Sequence, residues 1–176
     1  VGVGVDPGTH TVYVTNINAN TVSVINGVSS TVTATITVGH TPLGVGVDPG
    51  THTVYVTNSG GNTVSVIDGV SDTVSATIPV GNGPYGVGVD PGTHTVYVTN
   101  AGGNTVSVID GVSDTVTATI TVGNSPRGVG VDPGTHTAYV ANELDDTVSV
   151  LAPQATTTAL TVTPPRPRPR RAPRRP

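Results

Sequence analysis

The chain has 176 residues, 7 Lys or Arg, 11 Asp or Glu and a formal charge of −4, which is enough for one domain with a real core and short for two. Val, Thr and Ile together supply 72 residues, whereas Phe, Trp, Met, Cys and Lys are absent; this favours β structure and excludes a disulfide frame, a thiolate metal site and a cysteine nucleophile. No run of about 18 apolar residues is present to span a bilayer and the first residues given do not read as a secretory leader, and without Met at position 1 the chain is expected to be processed or part of a longer one.

The charge is unevenly placed. Residues 1–163 hold all eleven acids and one base, Arg127, while residues 164–176 hold six Arg. An acidic body does not suit non-specific nucleic-acid binding, which needs clustered Lys or Arg.

The segment Val5-Asp-Pro-Gly-Thr-His-Thr-Val-Tyr-Val-Thr-Asn16 recurs at Val47–Asn58, at Val89–Asn100 and, with two changes, at Val131–Asn142, a spacing of 42 each time. Within the second unit, alternation predicts strands over 44–48, 53–57, 63–67 and 73–80. Asp48-Pro49-Gly50 predicts a tight hairpin, with Pro presetting φ, Asp bonding its own backbone and Gly free to take a positive φ. Asn58-Ser-Gly-Gly-Asn62 and Ile67-Asp-Gly-Val-Ser-Asp72 turn the chain twice more. Four antiparallel strands in 42 residues predict an all-β fold, a β-propeller of four blades that could belong to a larger ring. A parallel β-helix would have shorter repeats without three tight turns each. Val54 and Val56 should face one neighbouring blade and Tyr55 the other, and Gly44 and Gly46 suit the crowded strand nearest the axis.

In the fourth unit, residues 157–163 keep Leu160 and Val162 in phase with Ala118 and Ile120, so residues 155–163 are either the last strand of blade four or the opening strand of an immunoglobulin-like domain. The blades then occupy 1–163. The tail, 164–176, holds six Pro and six Arg and is expected to be extended or disordered, unless it is a frame-shifted artefact.

The segments Tyr13-Val-Thr-Asn16, Tyr55-Val-Thr-Asn58, Tyr97-Val-Thr-Asn100 and Tyr139-Val-Ala-Asn142 resemble the YVTN-family β-propeller repeat, over residues 1 to about 151. The resemblance implies a propeller, commonly seven-bladed, of a secreted, periplasmic or surface-layer protein. Four copies leave three arrangements open: part of a larger ring, a four-bladed ring, or two chains sharing eight blades.

Chemistry is sparse. His10, His52, His94 and His136 recur once per unit, too far apart for one zinc ion and expected at the surface beside turns. The repeated Asp residues of the turns are explained by local capping rather than calcium. Gly44-Val-Gly-Val-Asp-Pro-Gly50 lacks the spacing and helix of a dinucleotide loop. No catalytic residue, metal or cofactor is expected. The copies differ chiefly in two loop sets that fall on one face, which marks His40, Leu43, Asn82, Tyr85, Asn124, Arg127, Glu143 and Asp145 as a candidate binding face, with Leu43, Tyr85 and Arg127 around the channel mouth. These features predict a non-enzymatic, extracytoplasmic scaffold that binds a protein or cell-envelope ligand and self-associates to close its ring. The alternatives are a propeller subunit of a redox or lactone-processing enzyme, and nucleic-acid binding through the Arg tail.

Overall fold

The computed structural model describes residues 2–152 and 160–162, and it is built from four four-stranded antiparallel sheets, each made of consecutive strands. Blade 1 comprises β1 (Val3–Asp6), β2 (Thr11–Asn16), β3 (Thr21–Asn26) and β4 (Thr31–Thr37). Blade 2 comprises β5 (Pro42–Asp48), β6 (Thr53–Asn58), β7 (Thr63–Asp68) and β8 (Thr73–Pro79). Blade 3 comprises β9 (Pro84–Asp90), β10 (Thr95–Asn100), β11 (Thr105–Asp110) and β12 (Thr115–Thr121). Blade 4 comprises β13 (Pro126–Asp132), β14 (Thr137–Asn142), β15 (Thr147–Leu151) and β16 (Leu160–Val162), the last pairing with β15. This is the propeller that the 42-residue repeat predicts. The tail at 164–176 and most of 153–163 lie outside the described residues.

No core runs through a single sheet; the apolar side chains meet between sheets. Tyr13, Val22, Val24 and Ile36 of blade 1 pack on Val54, Val56 and Ile67 of blade 2. On the other face of β6, Tyr55 joins Val96, Val98 and Ile109 of blade 3, so the predicted division of β6 holds. A third cluster sets Tyr97 and Val106 against Ala138, Val140 and Leu151. Each interior valine removed from water contributes roughly 1.5–3 kcal/mol before chain entropy is counted, so the interfaces between blades carry most of the stabilisation. The outermost strands follow a different rule: Val32, Val74 and Val116 remain exposed there, on edges dominated by Thr.

The innermost strands β1, β5, β9 and β13 lie side by side around the axis, and their glycines let them approach. A Cβ on Gly44 would sit 2.4 Å from the Tyr85 carbonyl oxygen, and one on Gly86 2.1 Å from that of Arg127. The hairpins differ from expectation in one respect. Asp48 Oδ1 does accept the Gly50 amide at 2.9 Å, but the left-handed residue is His52, at φ 56°, and not Gly50; His10, His94 and His136 do the same. The Asp-capped turn is a four-residue loop, since Asp48 pairs with Thr53, and its last residue takes the left-handed conformation, as Asn62 and Asp72 do at the ends of the other two turns of the blade.

Candidate functional site

The channel mouth is assembled by threonines. Thr15 Oγ1 donates to the Leu43 carbonyl at 3.0 Å, and Thr57 and Thr99 donate to the carbonyls of Tyr85 and Arg127, both at 2.8 Å. The same Thr57 and Thr99 hydroxyls accept the amides of Gly44 and Gly86 at 2.8 Å. The backbone under each of the three mouth residues is thereby fixed to the preceding blade. Leu43, Tyr85 and Arg127 occupy the second positions of β5, β9 and β13 rather than the connections before them, because the strands begin at Pro42, Pro84 and Pro126.

These three residues, with Gly44, Gly86 and Gly128 beside them, line an open cavity of about 280 Å³. The Arg127 guanidinium lies over the Tyr85 ring, 4.7 Å from its centroid, and Nε pairs with Glu143 Oε2. Tyr85 first, and Glu143 after it, hold the guanidinium above its ordinary value. An apolar, an aromatic and a cationic group thus face one cavity.

The other expected residues take a different part. Asn124 donates from its amide nitrogen and Nδ2 to the two oxygens of Asp145 at 2.7 and 2.8 Å, bonds that hold the Asp145 carboxyl below its usual range. His40 contacts Asn20 Nδ2 at 3.4 Å, and Asn82 donates to the Gly102 carbonyl at 3.4 Å. All four sit where the connection between blades meets the β2–β3 type of turn and fasten loop to loop, away from the cavity lining. Expectation missed the fasteners at Asn20, Asn62 and Asn104, whose Oδ1 atoms accept the amides of Thr41, Gly83 and Ser125 at 2.9, 2.9 and 3.0 Å.

The histidines flank turns at the surface as expected, and three of them also make cross-blade pairs that the sequence reading did not foresee. His52, His94 and His136 place Nδ1 at 2.6, 2.6 and 2.8 Å from Oδ2 of Asp6, Asp48 and Asp90. Burial works to raise the carboxyls of Asp6 and Asp90, but hydrogen bonds, led by those from His52 and His136, prevail and hold both below the usual carboxylate value. The constant offset of 46 residues, one repeat plus the length of a turn, is the signal that could have revealed them. Among the described residues no group of three or more His, Cys, Asp or Glu is arranged to hold a metal, and no helix is long and apolar enough to cross a membrane.

A family model described as "Lactonase, 7-bladed beta-propeller" matches residues 3–167. Kuenenia stuttgartiensis hydrazine synthase is 25% identical, with a TM-score of 0.78 over 85% of this chain and 44% of that one. U3-55K is 13% identical, with a TM-score of 0.83 over 92% of this chain and 51% of that one. Dihydro-heme d1 dehydrogenase NirN, in complex with DHE, is 16% identical, with a TM-score of 0.75 over 91% and 36%. The chain therefore spans about half or less of these structures, and the less similar two show the fold alone. No curated protein matches the chain.

These matches overturn the expectation of a non-enzymatic chain: the family model and the hydrazine synthase likeness point to propellers of enzymes. The expectation rested on like groups repeating around a ring. It overlooked that catalysis needs unlike groups only at one place, and at the mouth Leu43, Tyr85 and Arg127 break the repeat.

Proposed function

We infer, from the premise that this chain belongs to the Lactonase, 7-bladed beta-propeller family, that it supplies four blades of a lactone-hydrolysing propeller whose substrate enters the channel mouth. The observation that carries this reading is the cavity shared by Leu43, Tyr85 and Arg127, with Glu143 pairing the guanidinium. Opening a lactone adds water across the acyl C–O bond: the carbonyl carbon takes the hydroxyl, the ring oxygen takes the proton, and a hydroxy acid results. Arg127 supplies the positive charge that a carbonyl oxygen needs as it becomes an oxyanion, and the same group binds the carboxylate of the product. Tyr85 and Leu43 offer apolar surface to the ring of the substrate. Glu143 keeps the guanidinium in place. The resemblance of the four Tyr-Val-Thr-Asn or Tyr-Val-Ala-Asn segments to YVTN repeats supports an extracytoplasmic setting.

The test is hydrolysis of gluconolactone by the purified chain, followed by acid release at constant pH. The wild type should exceed the spontaneous rate, Arg127→Gln should lower kcat/KM about tenfold or more, and Tyr85→Ala should act mainly on KM. A rate equal to the spontaneous one, or one untouched by Arg127→Gln, overturns the reading.

A further inference from the structure

The mouth cavity joins a cationic end to an apolar wall. Among the described residues that line it, Arg127 and Tyr85 bring polar side-chain atoms, and the rest are Gly, Val and Leu. The reason lies in how the innermost strands pack. Val45, Val87 and Val129 stand two positions after Leu43, Tyr85 and Arg127 and so on the same side of their strands, where they are half-buried. The same valines wedge against glycines of the preceding blade: a Cβ at Gly4 would lie 2.6 Å from Val45 Cγ1, one at Gly46 3.0 Å from Val87 Cγ2, and one at Gly88 3.3 Å from Val129 Cγ1. A polar side chain there would enter that contact without a partner, so these copies all keep Val and vary at Leu43, Tyr85 and Arg127 instead.

The polar groups around the cavity are engaged with one another. The carbonyls of Leu43, Tyr85 and Arg127 accept the hydroxyls of Thr15, Thr57 and Thr99, and the Gly44 and Gly86 amides donate to Thr57 and Thr99. On the connecting loops, Asn82 donates to the Gly102 carbonyl, and Asn124 accepts from Asn104 Nδ2 at 2.9 Å while donating to Asp145. The Arg127 guanidinium is a planar fork of N–H donors that turns Nε to Glu143, a shape suited to one carbonyl or carboxylate. Each hydroxyl of a sugar lactone laid along this wall would exchange a bond to water for contact with Val or Leu, which is unfavourable. A methylene in the same place is stabilised by leaving water.

We propose that the substrate is a lactone bearing an unsubstituted alkyl chain, with its carbonyl at Arg127 and its chain along Leu43, Val45 and Val87, and that a polyhydroxylated lactone is the poorer substrate. The proposal deepens the lactone reading and rests on it for the reaction, whereas the preference for an alkyl chain is a property of the cavity and shows in binding as well. Water opens such a lactone to a hydroxy acid. The new carboxylate remains at Arg127 and the alkyl chain keeps its place, so substrate and product are recognised by the same residues.

The test compares δ-valerolactone, δ-octalactone and δ-decalactone with gluconolactone on the purified chain, each kcat/KM being taken relative to the spontaneous hydrolysis of that compound. The value should rise about two- to fourfold per added methylene, and that of δ-decalactone should exceed that of gluconolactone about tenfold or more. Val87→Thr, close in shape to the native side chain, and Leu43→Asn should each lower the ratio of the two about fivefold or more, with circular dichroism confirming that the blades remain folded. Calorimetric titration with gluconate and with the hydroxy acid from δ-decalactone separates this proposal from the reading beneath it. Tighter binding of the alkyl hydroxy acid, lost in Arg127→Gln, with no lactone turned over would overturn the hydrolytic reading and uphold the alkyl preference. Gluconolactone hydrolysed as well as δ-decalactone, a rate indifferent to chain length, a ratio unmoved by both substitutions, or an alkyl hydroxy acid bound no tighter than gluconate overturns the proposal.

Discussion

Nδ1 of His52 lies 2.6 Å from Oδ2 of Asp6, joining blade 2 to a carboxylate that is buried on blade 1. His52→Ala strands that carboxylate and should cost about 1–3 kcal/mol. His10→Ala is the internal control: it has the same turn and the same positive φ but no carboxylate partner among the described residues, so it reports the backbone effect alone. The carboxyl of Asp6 is held below its ordinary value of 3.8. The folded state therefore binds this proton less readily than the unfolded chain, so the stabilisation is complete above that value and is lost as pH falls through the lower folded value. Denaturant melts at pH 7 and pH 2 should show the gap between His52→Ala and His10→Ala closing in acid. A gap that persists unchanged at pH 2 would mean that packing, not the carboxylate, is the cause.

Thr99→Val keeps the shape of the side chain and deletes the hydroxyl that accepts the Gly86 amide and donates to the Arg127 carbonyl, each at 2.8 Å. Thr99 has no exposed surface, so both backbone groups lose that partner where water does not replace it. The expected loss is about 2–3 kcal/mol, measured by urea unfolding. Ala141→Thr at the equivalent place on blade 4 should change stability by less than Thr99→Val does, by about 1 kcal/mol or less, since the Gly128 amide of the same blade stands where the Gly86 amide does but no described residue stands where the Arg127 carbonyl does.

Asp114→Asn should stabilise the protein at neutral pH. Asp114 sits at φ 54° with Oδ1 buried and unbonded, and burial, then the charge of Asp110, raises its carboxyl above the ordinary value. Ionisation is thus more costly in the folded state than in the unfolded chain, whereas Asn tolerates the same backbone without a charge. A rise in Tm of about 1–3 °C is expected at pH 7, and it should fade in acid where Asp114 itself is protonated. Tyr55, pushed up to about 12 by burial and then by Asp114, should titrate lower in the variant, as read by ultraviolet absorbance.

Glu143→Gln separates the mouth from the scaffold. Arg127 and Glu143 are 44 and 50% exposed, and an ion pair so open to solvent contributes little to folding. Tm should be unchanged while gluconolactone hydrolysis falls, because the guanidinium is no longer held beside Tyr85. A fall in Tm with unchanged hydrolysis would assign the pair to structure alone.

The four strands of each blade were legible because alternation and turn chemistry are local. The assignment of Val54 and Val56 to one neighbouring blade and Tyr55 to the other could be made from spacing alone, and so could the crowding that makes Gly44 necessary. The candidate face was legible in part: Leu43, Tyr85 and Arg127 stand out as differences between otherwise similar copies. Their separation from His40, Asn82, Asn124 and Asp145 was not, because a side chain on a loop meets the cavity or the neighbouring turn according to backbone placement.

The repeat, its period of 42 and the alternation within it carry the β-propeller unaided, since each strand and turn is specified by residues within a few positions of one another. The arrangement in space settled what lies between units. The His52–Asp6 pair spans 46 residues, the Thr57 bridge to Tyr85 spans 28, and both exist only because consecutive blades stack face to face. The same stacking buries Tyr13 and leaves Tyr139 exposed, although their sequence surroundings are nearly identical: burial belongs to the neighbour that covers a residue, and a repeated sequence does not say where the row of neighbours stops.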